Sequence, residues 1–88
     1  MYDVRLTRKA QKGYETLFPI DYQKKVDGLL IVLETNIRPG RLYDITQLAE
    51  NTYRVRLGKV RVQYTIFEEE KVILIYKIGF KDDSTYKP

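Results

Sequence analysis

Apolar and polar residues alternate without exception along Tyr53-Arg54-Val55-Arg56-Leu57 and again along Val60-Arg61-Val62-Gln63-Tyr64. Gly58-Lys59 lies between the two runs. Period-2 alternation marks half-buried strands, and Gly in the first central position of a two-residue loop suits a type II′ hairpin turn. That loop pairs Leu57 with Val60, Arg56 with Arg61, Val55 with Val62, Arg54 with Gln63 and Tyr53 with Tyr64. Side chains alternate between the faces of a strand. One face is therefore Tyr53, Val55, Leu57, Val60, Val62 and Tyr64, and the other is Arg54, Arg56, Arg61 and Gln63. Like charges directly opposite each other destabilise a sheet. Arg56 facing Arg61 thus carries a cost that an anion or an acid would relieve.

The rest of the chain is organised around this hairpin. Tyr2, Val4 and Leu6 alternate with Asp3 and Arg5 and predict a first strand. Thr7 is suited to cap a helix carrying Ala10, Tyr14 and Leu17 at helical spacing, weakened by Gly13 and ended by Phe18-Pro19. A second helix begins at Ile20 or Asp21, with Tyr22, Val26, Leu29, Leu30 and Leu33 as its apolar stripe. Gly28 lies within it, where a close approach of backbone is expected. Asn36 to Arg41, with Pro39-Gly40, reads as a loop. Tyr43 to Leu48 reads as a short strand leading into the hairpin.

After Tyr64 the strand continues to Phe67, and Glu68-Glu69-Glu70 forms a three-residue loop. The last strand, Lys71 to Ile78, is the most apolar. Pairing Phe67 with Lys71 puts Val72, Leu74, Tyr76 and Ile78 on the core face and Lys77 beside Arg61, leaving Phe67, Ile73 and Ile75 on the open side. A two-residue loop would drive Lys77 into the core. The tail from Gly79 to Pro88 is short and polar. The order β-α-α-β-β-β predicts a two-layer α+β domain spanning residues 1–88, with two N-terminal helices packed on one face of an antiparallel sheet.

Composition narrows the chemistry. With 88 residues the chain is one domain with one modest core. It holds no Cys and no His. Disulfides, thiol nucleophiles and the usual acid/base group are excluded, so any catalysis runs on Arg, Lys, Tyr, Asp, Glu, Ser or Thr. No cofactor is implied. No run is long enough to span a membrane, and the N-terminus has no apolar leader, so a cytoplasmic protein is expected. The net charge of +4 is moderate. Its distribution says more: Arg54 to Arg61 holds four cations, Arg54, Arg56, Lys59 and Arg61, and no acid, while acids gather at Glu68–Glu70 and Asp82-Asp83. A basic strand pair of this kind is compatible with a phosphate-binding face, although an alternating basic strand is more often a solvated sheet face. The Glu68–Glu70 spacing fits no known metal loop.

The strand, two helices, the Tyr53–Tyr64 block, an apolar strand and a terminal Tyr after a short basic-to-polar turn resemble the RelE/ParE toxin superfamily, its archaeal RelE-like members most. The resemblance covers essentially the whole chain, and the Tyr53–Tyr64 block is its specific part. It implies a RelE-like fold and the toxin of a toxin–antitoxin pair. Members of the RelE type bind the ribosomal A site and cut mRNA there, and a cognate RelB-like antitoxin wraps the toxin. The family's working set would fall on Arg54, Arg56, Arg61, Lys81 and Tyr86. In those roles Arg56 and Arg61 clamp a phosphate, Lys81 stabilises it or protonates the leaving group, and Tyr86 acts as base or stacks on a nucleobase. Arg54, Lys59 and Lys77 would hold the RNA backbone. Arg54 fits a pairing with Glu50 or an antitoxin acid equally well, and Tyr86 fits a packing anchor. Asp82 and Asp83 are acids placed to pair with the arginines. The resemblance leaves open a ParE-like inhibitor of a topoisomerase, or an RNA- and ribosome-binding relative that no longer cuts. In each case the toxin alone is expected to be monomeric, and hetero-oligomeric with its antitoxin.

Overall fold

The computed structural model describes residues 1–81. The elements run β1 (Asp3–Leu6), α1 (Arg8–Glu15), α2 (Ile20–Leu33), β2 (Asp44–Ala49), β3 (Thr52–Leu57), β4 (Val60–Phe67) and β5 (Val72–Phe80). Thr7 caps α1 as its side chain predicts: its Oγ1 accepts the Ala10 amide at 3.1 Å. Val26, Leu29 and Leu33 form the buried stripe of α2. Both helices lie on one face of the sheet, so the α+β two-layer class holds.

The strand order is β1-β5-β4-β3-β2. The sheet is mixed rather than purely antiparallel, because β1 pairs parallel to β5, placing Val4 beside Ile73 and Leu6 beside Ile75. The two helices carry the chain from β1 to the far edge of the sheet, where β2 runs opposite to β1, and three successive antiparallel connections then bring β5 in beside β1 in the same direction. The segment leading into the hairpin is a full strand. β2 pairs antiparallel with β3, setting Asp44 opposite Arg56 and Thr46 opposite Arg54. The β3–β4 register is the one that the alternation predicts, residue for residue. Gly58 takes φ +64° while Lys59 stays out of the left-handed region, as a type II′ turn requires.

β5 departs from expectation. The connection after Phe67 contains a fourth residue, Lys71, at φ +58°, and Phe67 pairs with Val72. This shift by one residue exchanges the faces of the first half of the strand. Ile73 and Ile75 are therefore fully buried, whereas Val72 and Leu74 share the open face with Phe67 and Thr65. A bulge at Tyr76, between the Gln63–Lys77 and Tyr64–Ile75 pairs, then restores the phase. Ile78 returns to the core as predicted, and Tyr76 does not join it. Lys77 is on the open face, but its neighbour is Gln63; Arg61 faces Gly79.

The core joins Ala10, Leu17 and the α2 stripe to Val55, Leu57, Val60, Val62, Tyr64, Ile66, Ile73, Ile75 and Ile78. Gly13, not Gly28, marks the close approach. A Cβ on Gly13 would overlap the Ile78 carbonyl oxygen, whereas one on Gly28 would meet only the Tyr43 hydroxyl at ordinary contact distance. The glycine that weakens α1 as an isolated helix is what lets α1 lie flat on β5.

A candidate phosphate site on the open sheet face

The helices leave the other sheet face open, and its turn end is cationic. Asp44, Arg56, Arg61 and Gly79 form one row across β2, β3, β4 and β5. Thr46, Arg54, Gln63 and Lys77 form the next. Asp44, Thr46, Arg54, Arg56 and Arg61 line a polar concavity of about 180 Å³. A second concavity of about 390 Å³ adjoins it, lined by Arg56, Gly58, Lys59, Arg61, Phe80 and Lys81. Arg56 and Arg61 line both, so they stand at the centre of a continuous shallow trough.

The cost of placing Arg56 opposite Arg61 is relieved from β2. The Asp44 carboxylate pairs with Arg56 through Oδ2 at 2.7 Å. Both side chains are more than half exposed (54% and 59%), so the pair is hydrated and open to exchange with another anion. Among the described residues Arg61 has no such partner. It is half-buried between its neighbours, and its Nε–H is buried without an acceptor among those residues. An unmade hydrogen bond at a buried, charged donor costs on the order of 1–3 kcal/mol, and an anion seated in the trough would recover it.

The structure brings together Arg54, Arg56, Lys59, Arg61 and Lys81. Lys81 is held at the trough by its backbone, whose N–H donates to the Lys59 carbonyl at 2.8 Å. Lys77 lies one row away, beside Gln63. Arg54 forms no ion pair with Glu50; among the described residues its cross-strand neighbours are Gln63 and Thr46. Tyr86, Asp82 and Asp83 lie outside the described residues. Asp44 and Thr46 are the site residues that sequence reasoning passed over. The alternation of Tyr43–Leu48 puts them on one face, but which face depends on the bulge between Gln47 and Ala49.

The acidic tip after β4 has a different use. Glu68 accepts from Arg38 at 3.0 Å, and the same guanidinium donates to the Tyr53 hydroxyl at 2.8 Å and to Asn51 Oδ1 at 3.1 Å. These bonds hold the Arg38 guanidinium protonated above the ordinary arginine range, Glu68 first and Tyr53 second. Beneath it, Tyr64 stacks on Tyr53 with ring centroids 5.8 Å apart and donates its hydroxyl to the Ile37 carbonyl at 2.8 Å. Burial, followed by the neighbouring Tyr53, pushes the Tyr64 phenol well above its ordinary value of 10.0, against a smaller opposing effect of Arg38.

Two helices over a mixed sheet whose open face carries an arginine trough define a class of small toxins. Residues 4–83 match the family described as the ParE toxin of type II toxin–antitoxin systems. The chain is 33% identical to the RelE1 protein of Methanocaldococcus jannaschii, the alignment covering 99% of this chain and 98% of that one. It superposes on RelE in the archaeal RelE–RelB complex from Pyrococcus horikoshii OT3 with a TM-score of 0.81 and 26% identity, over 93% of this chain and 97% of the other. In the intact Escherichia coli RelBE toxin–antitoxin complex the match has a TM-score of 0.76 at 15% identity, over 93% and 99% of the two chains, and shows a shared fold. The chain belongs to the RelE/ParE superfamily of type II toxins, on its RelE-like side.

Proposed function

We propose that the protein is a ribosome-dependent mRNA endonuclease, the toxin half of a RelBE-like pair, built as a single toxin domain and acting in the cytoplasm. The observation that carries this reading is Arg61, whose buried Nε–H has no acceptor among the described residues and which shares a trough with Arg54, Arg56, Lys59 and Lys81. Backbone cleavage by transesterification puts growing negative charge on the phosphoryl oxygens. Fixed cations aimed at that charge are usually the largest single catalytic contribution. Arg56 and Arg61, facing each other across adjacent strands, are placed to grip one phosphate from both sides. Arg54 and Lys59 extend positive charge along the trough for the flanking backbone, with Lys77 adding to the field from the next row. Lys81 supplies an ammonium at the same concavity. The protein offers no histidine, so orientation of the mRNA by the ribosome would carry much of the remaining rate.

Primer extension on mRNA from a translating extract tests the reading. Added protein is expected to produce new ends at codons held in the A site. Folded protein that yields no new ends overturns it. The ParE description of the matching family model favours a second reading, inhibition of a topoisomerase. That reading expects loss of DNA supercoiling activity with intact mRNA.

The partner we propose is a RelB-like antitoxin with an acidic or amphipathic segment. It would satisfy the trough cations and lie along the open face, where Phe67, Val72 and Leu74 provide apolar surface. Co-expression with the product of the adjacent reading frame, followed by co-purification, tests this.

A further inference from the structure

We infer that Asp44 is the general base of the cleavage reaction, an assignment that rests on the nuclease reading above. Transesterification needs a group that removes the proton from the ribose 2′-OH. Arginine stays protonated in proteins and cannot do this. Of the residues lining the arginine concavity, Asp44 is the one whose side chain is an anionic proton acceptor at neutral pH. Its place is set by the sheet. Asp44, Arg56 and Arg61 occupy one row on three neighbouring strands, and strands are spaced about 4.8 Å apart. A phosphate gripped between Arg56 and Arg61 therefore has the Asp44 strand about one and a half strand spacings to its side, a span that the ribose of the same linkage and the Asp44 side chain bridge between them. β2 is the edge strand of the sheet, so the side from which RNA would reach Asp44 is not closed by a further strand.

The ion pair with Arg56 gives this base a trigger. It runs from Arg56 Nη2 to Oδ2, and a carboxylate has a second oxygen with which to accept a proton. When a phosphate takes over the Arg56 guanidinium, the carboxylate is released next to the substrate that displaced it. In the reaction, Asp44 takes the 2′-OH proton and the 2′-oxygen forms a bond to phosphorus. The bond from phosphorus to the 5′-oxygen breaks, and that oxygen leaves with its electron pair and takes a proton from the Lys81 ammonium. The products are a 2′,3′-cyclic phosphate and a free 5′-OH, and water exchange returns Asp44 and Lys81 to their starting states. The charged groups facing Asp44 are Arg54 and Arg56 on β3 and Arg61 on β4.

A role limited to neutralising Arg56 predicts the opposite result on removing the charge, which makes the assignment testable. Single-turnover cleavage on programmed ribosomes, with toxin saturating, is compared for wild type, Asp44→Asn, Asp44→Glu and Arg61→Ala. Asp44→Asn is expected to lose at least about 100-fold in rate while binding ribosomes as tightly as wild type or more so. The acid limb of its pH–rate profile should disappear, and Asp44→Glu should regain part of the rate. An Asp44→Asn rate within about threefold of wild type, or above it, overturns the assignment. If Arg61→Ala still abolishes cutting in that case, the nuclease reading stands and only the base falls. A wild-type protein that binds ribosomes and cuts nothing overturns both.

Discussion

Arg38 and Arg61 sit at opposite ends of the β3–β4 hairpin, and their surroundings differ. Arg38, at the open end, donates to Tyr53, Asn51 and Glu68 and lies over the Tyr53 ring, its guanidinium carbon 5.6 Å from the centroid. Arg61, near the turn, faces another arginine and buries an Nε–H with no acceptor among the described residues. The first arginine ties the loop before β2 to the hairpin. The second is kept in an arrangement that folding alone does not favour. Satisfied charge at one end and unsatisfied charge at the other separate the part of the hairpin that holds the fold from the part available to a ligand.

The largest effect expected from this contrast is at Arg61. Arg61→Ala should lower A-site mRNA cleavage by about 100- to 1,000-fold, the usual consequence of removing one preorganised donor from a developing anion. Its unfolding free energy should change by no more than about 0.5 kcal/mol, because the substitution removes both a buried unpaired donor and the repulsion from Arg56. Primer extension and thermal unfolding of the same preparation measure the two. A variant that unfolds easily would show Arg61 to be part of the scaffold and break the contrast.

The hairpin end that carries the trough was legible in the sequence because its alternation is uninterrupted. Register, turn type and the Arg56–Arg61 pair all follow from twelve consecutive residues, Tyr53 to Tyr64. β5 was harder because two irregularities compensate. Lys71 in a left-handed conformation adds a residue to the loop, and the bulge at Tyr76 later cancels the shift, so Ile78 is placed correctly while Ile73 and Ile75 are not. No local propensity announces either feature. Asp44 was hidden for a similar reason, since the bulge between Gln47 and Ala49 decides its face. Arg38 lies in a loop, and its three acceptors come from Asn51, Tyr53 and Glu68, which only the folded hairpin brings together.

Tyr64 gives the next effect in size, and it should fall on stability alone. Tyr64→Phe leaves the Ile37 carbonyl without its donor and should cost about 1–2 kcal/mol in chemical denaturation at neutral pH, with mRNA cleavage unchanged. The same phenol predicts an alkaline limit. Its folded-state value is raised above the ordinary 10.0, so the folded chain keeps a proton that the unfolded chain releases. Stability is therefore full below pH 10.0 and declines as pH rises above it, by up to about 1.4 kcal/mol per pH unit for this one group. Tyr14, raised chiefly by its hydrogen bond to Asp27, acts in the same direction. Denaturation midpoints across this range should thus fall less steeply in Tyr64→Phe than in wild type, without becoming flat.

The smallest effect sharpens the contrast most, because it concerns the other arginine. Arg38 and Glu68 are each about half exposed (42% and 53%), so their ion pair is screened and contributes little by itself. The bonds to Tyr53 and Asn51 have neutral acceptors, and the contact with the Tyr53 ring depends on a flat cation. Arg38→Ala should therefore cost about 1 kcal/mol, with most of that loss persisting in high salt, and leave cleavage unchanged. Arg38→Lys separates charge from shape. A lysine keeps the charge near Glu68 but cannot donate to Tyr53, Asn51 and Glu68 through one planar fork, so it should recover only a minor part of the stability. Full recovery by lysine would mean that charge alone holds the loop to the hairpin, and the two arginines would then differ in the number of their partners rather than in kind.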